Sequence, residues 1–337
     1  MKSKLLMVGG MMVAGAAMAS EGMNLGGYVD ARYGWDNTKG TNKNTFYMAE
    51  GAVYLGKKVG MGEVMVDVPF KGAQSDNSFV LGQDQAQAWI SWKYDNGFMW
   101  KLGQFDAIYG MESNDSVDNF FAGDGLLAGE VPTTHTGLMI GYDLSDSINL
   151  GLLVANHSSA KIVDDTLVYQ SPGVMPGGHG NPDVGFTLGT KMDGYHAKVG
   201  GLFTRMHQSD TMNWTFDIVA GTEMADLKID LEAIVESFNE ESGFSIGAQA
   251  VYSWSEMVKL GLRVENRKDA TTFATAKAAG VSDSVATDAA TLTQITVGPS
   301  FMMNKDFSVR LAYNYVMSAV EDSDAVSSIG LSAVHRF

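Results

Sequence analysis

Cysteine is absent from this sequence of 337 residues, and proline occurs only 6 times. Without cysteine the chain forms no disulfide bond, and it carries no cysteine for a lipoprotein anchor, so hydrogen bonding and burial must hold the fold. Glycine is abundant, at 39 residues. Much glycine with little proline is typical of a protein made of strands and turns rather than of a disordered chain.

Long apolar runs are also missing downstream of residue 19, where charged residues interrupt every apolar stretch. A membrane-spanning helix needs about 20 apolar residues, so the sequence predicts none after that point. Hydrocarbon accepts only helices or closed barrels. A membrane location for this chain therefore requires a closed β-barrel.

Positive charge is scarce as well, with 23 Lys and Arg against 39 Asp and Glu, for a net charge of −16. A nucleic-acid partner is not expected against such a field.

The N-terminus has the features of a secretory signal peptide. Lys2 and Lys4 precede an apolar stretch, and Ala17-Met18-Ala19 forms a small-residue cleavage site. We therefore predict a signal peptide over residues 1–19, and a single β-barrel domain over residues 20–337 of an exported chain.

Period-two alternation runs through the rest of the sequence. In segment 307–315, Phe, Val, Leu and Tyr alternate with Ser, Arg, Ala and Asn. A strand separates such residues onto two faces, whereas a helix would spread them around its circumference. The pattern predicts an all-β fold, a transmembrane antiparallel up-and-down β-barrel of about 16 strands. The predicted strands begin near Leu25, Thr45, Gly62, Gln85, Phe98, His135, Ser147, Val184, Tyr195, Asn213, Ala225, Gly243, Met257, Leu292, Phe307 and Val326.

The connections between these strands alternate in length. Even-numbered strands precede short turns, and odd-numbered strands precede mostly longer polar segments, the longest near residues 107–134, 158–183 and 268–291. The segments after the ninth and eleventh strands are short exceptions. Short periplasmic turns and long external loops are typical of outer-membrane barrels.

The predicted inner face is highly charged, and a barrel of this size encloses an aqueous channel. Charges of both signs at this density require water, because a dry interior would make each unpaired ion costly. The inward set comprises Asp30, Arg32, Glu50, Asp67, Lys71, Lys93, Lys101, Lys198, Asp217, Lys228, Asp230, Glu232, Lys259, Arg263, Glu265 and Arg310.

One segment resembles a known family. Lys101-Leu102-Gly103-Gln104-Phe105, followed by Tyr109-Gly110-Met111-Glu112, is similar to the strand-into-loop stretch of bacterial porins of the general diffusion type, in which the third loop folds into the barrel. The terminal Phe337, after an alternating strand, resembles the assembly signal of bacterial outer-membrane barrels. The resemblance covers the mature chain in architecture but only this short stretch in motif.

This resemblance implies a porin in the outer membrane of a Gram-negative cell, through which ions and small hydrophilic solutes diffuse passively. It also implies a homotrimer, contact with the lipid bilayer and lipopolysaccharide, and delivery by the barrel-assembly machinery through Phe337.

We expect an acidic third loop to narrow the pore and to face basic side chains of the wall, so that rings of charge set ion preference. The loop acids are Asp106, Glu112, Asp115, Asp118, Asp124 and Glu130, and the wall cations are Arg32, Lys71, Lys93, Lys101 and Arg310. The alternative is an exposed acidic loop that aids solubility or binds divalent ions near lipopolysaccharide.

Other functional classes have weaker support. His157 beside Ser158 and Ser159, and His207 near Ser209 and Asp210, are neighbours in sequence only, which does not build a catalytic geometry. We predict no enzyme activity, no cofactor and no metal site. A surface adhesin stays an alternative, and so does a channel specific for a sugar or nutrient. Few inward aromatic residues, namely Tyr28, Tyr54 and Trp89, favour general diffusion over sugar selection.

Overall fold

The computed structural model describes residues 22–38, 41–72, 79–81, 86–121, 123, 125–156, 182–205, 212–270, 272, 291–320 and 325–337. The predicted signal peptide lies outside this set. The strands are β1 Asn24–Thr38, β2 Thr41–Val59, β3 Gly62–Gly72, β4 Phe79–Leu81, β5 Gln87–Lys93, β6 Phe98–Asp106, β7 Thr134–Ser145, β8 Ile148–Ala155, β9 Asp183–Met192, β10 Tyr195–Arg205, β11 Met212–Met224, β12 Leu227–Phe238, β13 Glu241–Ser253, β14 Val258–Lys268, β15 Thr291–Met302, β16 Phe307–Ser318 and β17 Val326–Arg336. A single turn of 3₁₀ helix, Leu127–Gly129, lies between β6 and β7.

The strands form one closed antiparallel sheet in which, apart from β4 and β5, each pairs with its neighbours in sequence. β1 pairs with β17, from Tyr28 opposite Arg336 to Asp36 opposite Ser328, and this pairing closes the barrel. β4 and β5 both pair with β3, one beyond the other, so together they fill one position in the wall. The barrel therefore has sixteen strand positions, and the predicted fold class and strand number are confirmed.

Burial in this barrel is inverted relative to a protein that folds in water. Leu231 on β12 and Leu262 on β14 are 52% and 47% exposed, although both are apolar. Their inward neighbours Glu232 and Arg263 are only 3% and 1% exposed. An apolar outer face and a charged inner face suit a wall between hydrocarbon and a hydrated interior.

Tight turns join the strands at the end of the barrel that holds both termini of the sheet. Gly97 and Gly194 adopt positive φ values of 84° and 73° in two of these turns. A Cβ atom on Gly194 would approach Glu223 O to 3.1 Å, so both backbone angle and space favour glycine there. By the length rule these turns are periplasmic.

No helix in the described part of the chain is long and apolar enough to cross a membrane.

Candidate functional site

The described residues of segment 107–133, between β6 and β7, lie inside the barrel, and we call this segment the inner loop. Its two ends are joined by a hydrogen bond of 2.9 Å from Ala107 N to Thr133 O. Val117, Phe121 and Leu127 of the loop are buried. The expectation that this segment folds into the barrel thus agrees with the geometry.

Tyr109 fixes the first part of the inner loop in a recess made by glycine. A Cβ atom on Gly200 would lie 2.5 Å from Tyr109 Cδ1, and one on Gly185 would lie 2.1 Å from the tyrosine hydroxyl. The hydroxyl donates to Gly201 O at 2.9 Å. Glycine on β9 and β10 is therefore needed for the ring to reach the wall, and burial raises the pKa of Tyr109.

Wall carboxylates bind the loop backbone just beyond this residue. Gly110 N donates to Asp217 Oδ2 at 2.7 Å, and Met111 N donates to Glu232 Oε1 at 3.1 Å. Lys198 Nζ donates to Gly110 O at 2.9 Å. Hydrogen bonds that involve a charged group are the stronger kind, so β10, β11 and β12 hold this part of the loop firmly.

The tip of the loop is bound at Ser116, on the side where the barrel closes. Ser116 N donates to Glu50 Oε2 at 3.2 Å, and its hydroxyl donates to Asp30 Oδ2 at 3.0 Å. Arg310 donates to Ser116 O and to Val117 O, both at 2.8 Å. Glu50 on β2 is almost directly across the barrel from Asp217 on β11. The loop therefore crosses the lumen and is anchored on both sides.

The returning arm of the loop binds β14. Glu112 forms an ion pair with Arg263 and accepts a hydrogen bond from Gly125 N at 2.7 Å. Glu265 accepts hydrogen bonds from Leu126 N at 3.1 Å and from Leu127 N at 3.3 Å. A carboxylate of the wall again satisfies backbone donors of the loop.

Asp115 has a different setting, because hydroxyl groups rather than cations contact it. Tyr54 donates to its Oδ2 atom at 2.8 Å and Tyr28 to its Oδ1 atom at 3.4 Å. Burial raises the pKa of Asp115 to about 6; the Tyr54 bond opposes this rise, and the negative charges of Asp106, Asp118 and Glu50 add to it.

Glu130 lies in a group of three buried carboxylates with Glu236 and Asp269, whose oxygen atoms lie within 4.8 Å of one another. Oxygen ligands at this spacing suit a hard cation. Arg267 approaches Glu130 to 3.3 Å and supplies positive charge to the same group.

The other predicted loop acids are placed as follows. Asp106 ends β6 and accepts hydrogen bonds from Gln87 Nε2 at 2.6 Å and Asn114 Nδ2 at 2.8 Å. Asp118 forms an ion pair of 2.5 Å with Arg336. Asp124 lies outside the described residues, as do His157, His207 and their neighbours.

The predicted wall cations lie in different surroundings. Arg310 contacts the loop as described, and Arg32 forms an ion pair of 2.7 Å with Asp30, which itself binds the loop. The Lys101 ammonium lies 4.2 Å from the centre of the Trp89 ring.

Lys93 is not brought to the loop. It is the last residue of β5, beside a periplasmic turn, and forms an ion pair of 2.9 Å with Asp143. The expected contact with the acidic loop is therefore wrong for Lys93. Lys71 is in β3, and its side chain is outside the described part of the structure.

Several anchoring residues did not appear among the predicted site residues. The three arginines that pair with loop acids are Arg263, Arg267 and Arg336, and the wall acids that bind the loop backbone are Glu50, Asp217, Glu232 and Glu265. Alternation places Arg263 on the inner face. Its partner Glu112 is 151 residues away, and no local pattern reveals that pairing.

A model of the family described as beta-barrel porin-2, OmpL-like, matches residues 22–329. The chain belongs to this family. A comparison with curated proteins finds no match to the sequence.

Solved outer-membrane channels share the fold. The channel DcaP of Acinetobacter baumannii superposes with a TM-score of 0.67 at 13% identity, over 94% of this chain and 97% of that one. OmpF of Salmonella typhi gives a TM-score of 0.67 at 13% identity, over 94% and 99% of the two chains. OprB of Pseudomonas putida gives 0.65 at 12% identity, over 96% of each chain.

Family membership and the barrel together give the function at the level of class. The protein is an outer-membrane porin, a channel through which solutes diffuse. Its apolar outer face lies in the lipid bilayer.

Proposed function

We propose that the inner loop is the constriction of a water-filled channel that prefers cations. The observation that carries the proposal is the anchoring of one loop at opposite points of the wall, by Asp217 on one side and by Glu50 and Arg310 on the other. A segment held in this way narrows the lumen and brings its own side chains to the path of the solute.

The charge around this constriction supports a preference for cations. Glu112, Asp118 and Glu130 pair with arginines, which largely neutralise them. Asp115 instead accepts hydrogen bonds from the neutral hydroxyl groups of Tyr54 and Tyr28, so its negative charge is left to act on solutes. Rings of acidic side chains favour cations in channels.

We also propose how the protein assembles and what it contacts in the membrane. We expect a homotrimer, contact of the external loops with lipopolysaccharide, and recognition of the last strand by the assembly machinery. Phe337 exchanges backbone hydrogen bonds of 3.0 and 3.1 Å with Gly27, so the C-terminal residue extends the seam of the barrel. We also expect no catalytic activity, and transport of small hydrophilic solutes of many kinds.

The test is conductance of the refolded protein in a planar bilayer, with reversal potentials in a KCl gradient. We expect stepwise currents that close in thirds and a preference for potassium over chloride. One charge about 5 Å from the ion path is worth about 0.8 kcal/mol in water, so Asp115→Asn should lower that preference about fourfold at low salt.

Asp143→Asn is the matched control, because it removes the same charge at the periplasmic end. The proposed constriction is wrong if Asp115→Asn leaves the reversal potential unchanged, or if Asp143→Asn shifts it equally.

A further inference from the structure

Asp67 is a buried carboxylate that the wall leaves without a hydrogen-bond donor. It lies on the inner face of β3 and is 6% exposed. Among the described residues, no side chain or backbone group donates a hydrogen bond to its Oδ1 atom, which is sealed from solvent. A buried polar oxygen without a donor is costly, so such a group is rare unless something else binds it.

The two residues opposite Asp67 are donors that serve other carboxylates. Tyr54 on β2 and Gln87 on β5 face it directly across the sheet. The Tyr54 hydroxyl donates its one proton to Asp115 at 2.8 Å, and Gln87 Nε2 donates to Asp106 at 2.6 Å. Two further acids, Asp115 and Asp106, therefore lie near Asp67.

Among the described side chains, the charges that act on Asp67 have one sign. The described side chains whose charges act on Asp67 are Asp115, Asp106 and Glu50, all of them anionic. The charge of Lys101 on β6 acts instead on Asp106 and Glu63. A cationic ligand would supply both the missing donor and the missing charge.

The spacing and the neighbours indicate the kind of cation. Among the described residues, the carboxylate group with oxygens within 4.8 Å of one another is the separate cluster around Glu130, so the acids around Asp67 are spread too widely to chelate a bare metal ion together. An aromatic residue adjoins Asp67, because Tyr54 is its partner across β2 and β3. Widely spaced carboxylates beside an aromatic ring suit an organic ammonium ion. Its N–H groups point in different directions, and its positive charge is attracted to the face of the ring.

We propose that Asp67, Asp115 and Tyr54 form a binding site in the lumen for the ammonium group of an organic solute. Asp115 is half-buried and Asp106 is exposed, so we expect solutes to approach the site past these two residues. This inference rests on the proposed function, because solutes reach Asp67 only along the path beside the inner loop. It assigns organic amines as a preferred solute class.

The experiment measures block of the potassium current by benzylammonium in single channels of the full barrel. In the wild type, benzylammonium should interrupt the current, and neutral benzyl alcohol should not. Loss of a charged hydrogen bond weakens binding about tenfold or more, so Asp67→Asn should raise the blocking constant by at least that factor. Glu63→Gln is the control, because it removes the same charge from the same face of the same strand.

Each outcome bears on the proposal. Tenfold weaker block in Asp67→Asn, with normal block in Glu63→Gln, supports it. Unchanged block in Asp67→Asn, or no block of a conducting wild-type channel, overturns it, whereas a wild-type protein with no potassium current contradicts the proposed function instead. If Asp67→Asn does not fold, Asp115→Asn tests the same site from the loop, and undiminished block in that variant also overturns the proposal.

Discussion

Arg310 offers the sharpest test of how the inner loop is held. The residue is 8% exposed, and its guanidinium group donates one hydrogen bond to Ser116 O and another to Val117 O, each of 2.8 Å. We predict that Arg310→Met, which keeps much of the side-chain volume, loosens the tip of the loop without opening the barrel. The seam between β1 and β17 does not depend on this side chain, because backbone hydrogen bonds form it.

The size of the effect follows from the two bonds. Hydrogen bonds from a charged donor contribute about 1.5–3 kcal/mol each, and two on one side chain are not additive, so we take about 3 kcal/mol for the pair. That free energy corresponds to about a 150-fold change in the ratio of anchored to released tip. Ser116 keeps its bonds to Glu50 and Asp30, so the tip is released more often rather than permanently.

Amide hydrogen exchange of residues 115–119, measured in detergent micelles, reads this local equilibrium directly. We expect exchange about 100-fold faster in Arg310→Met than in the wild type, together with added noise in the open-channel current. Lys93→Met is the control, since it removes a cation that pairs with Asp143, away from the loop. Equal exchange rates in Arg310→Met and the wild type would refute the anchoring role.

Two further predictions concern the loop. First, because the pKa of Asp115 is raised to about 6, its carboxylate is charged at pH 7 and mostly neutral at pH 5. The preference for cations should therefore decrease as the pH is lowered from 7 to 5. Reversal potentials should show this step in the wild type and not in Asp115→Asn, and a wild type without the step would contradict the assignment. Second, Gly200→Ala places a methyl group 2.5 Å from Tyr109 Cδ1, so it should displace the ring and destabilise the anchored loop by about 1–3 kcal/mol. Amide exchange rates near residue 110 would report the change. When Tyr109→Ala is already present, Gly200→Ala should have little further effect on these rates, because the ring that it would displace is absent.

The barrel could be predicted from the sequence because its pattern is local. Each strand needs an apolar residue at every second position to face lipid, and that requirement is visible within about ten residues. β3, β6, β10, β16 and β17 begin at the predicted residues Gly62, Phe98, Tyr195, Phe307 and Val326. The split of one wall position into β4 and β5 was not predicted, because it reflects a register change against β3 rather than a change in composition.

The constriction was only partly predictable, because its contacts join distant parts of the chain. Alternation says which face a side chain occupies but not its position along the barrel axis. Lys93 and Arg310 both face inward by that rule, yet Lys93 ends β5 at a periplasmic turn, whereas Arg310 reaches the loop tip. Arg310 and Ser116 are 194 residues apart in sequence, so only the closed barrel brings them together.

The acidic residues of this porin therefore fall into two sets according to the groups that bind them, and we expect the two sets to have different roles. Carboxylates such as Asp217 and Glu265 accept backbone N–H groups of the inner loop, so they act on its position. The carboxylates of Asp67, Asp106 and Asp115 form no ion pair among the described side chains, although the charge of Lys101 acts on Asp106, and all three lie at the wall of β2 to β6. Variants of the first set should change current noise more than selectivity, and variants of the second should do the reverse. Because both sets carry the same formal charge, the net charge of −16 alone gives no measure of selectivity, and the cation path is expected along the β2 to β6 wall.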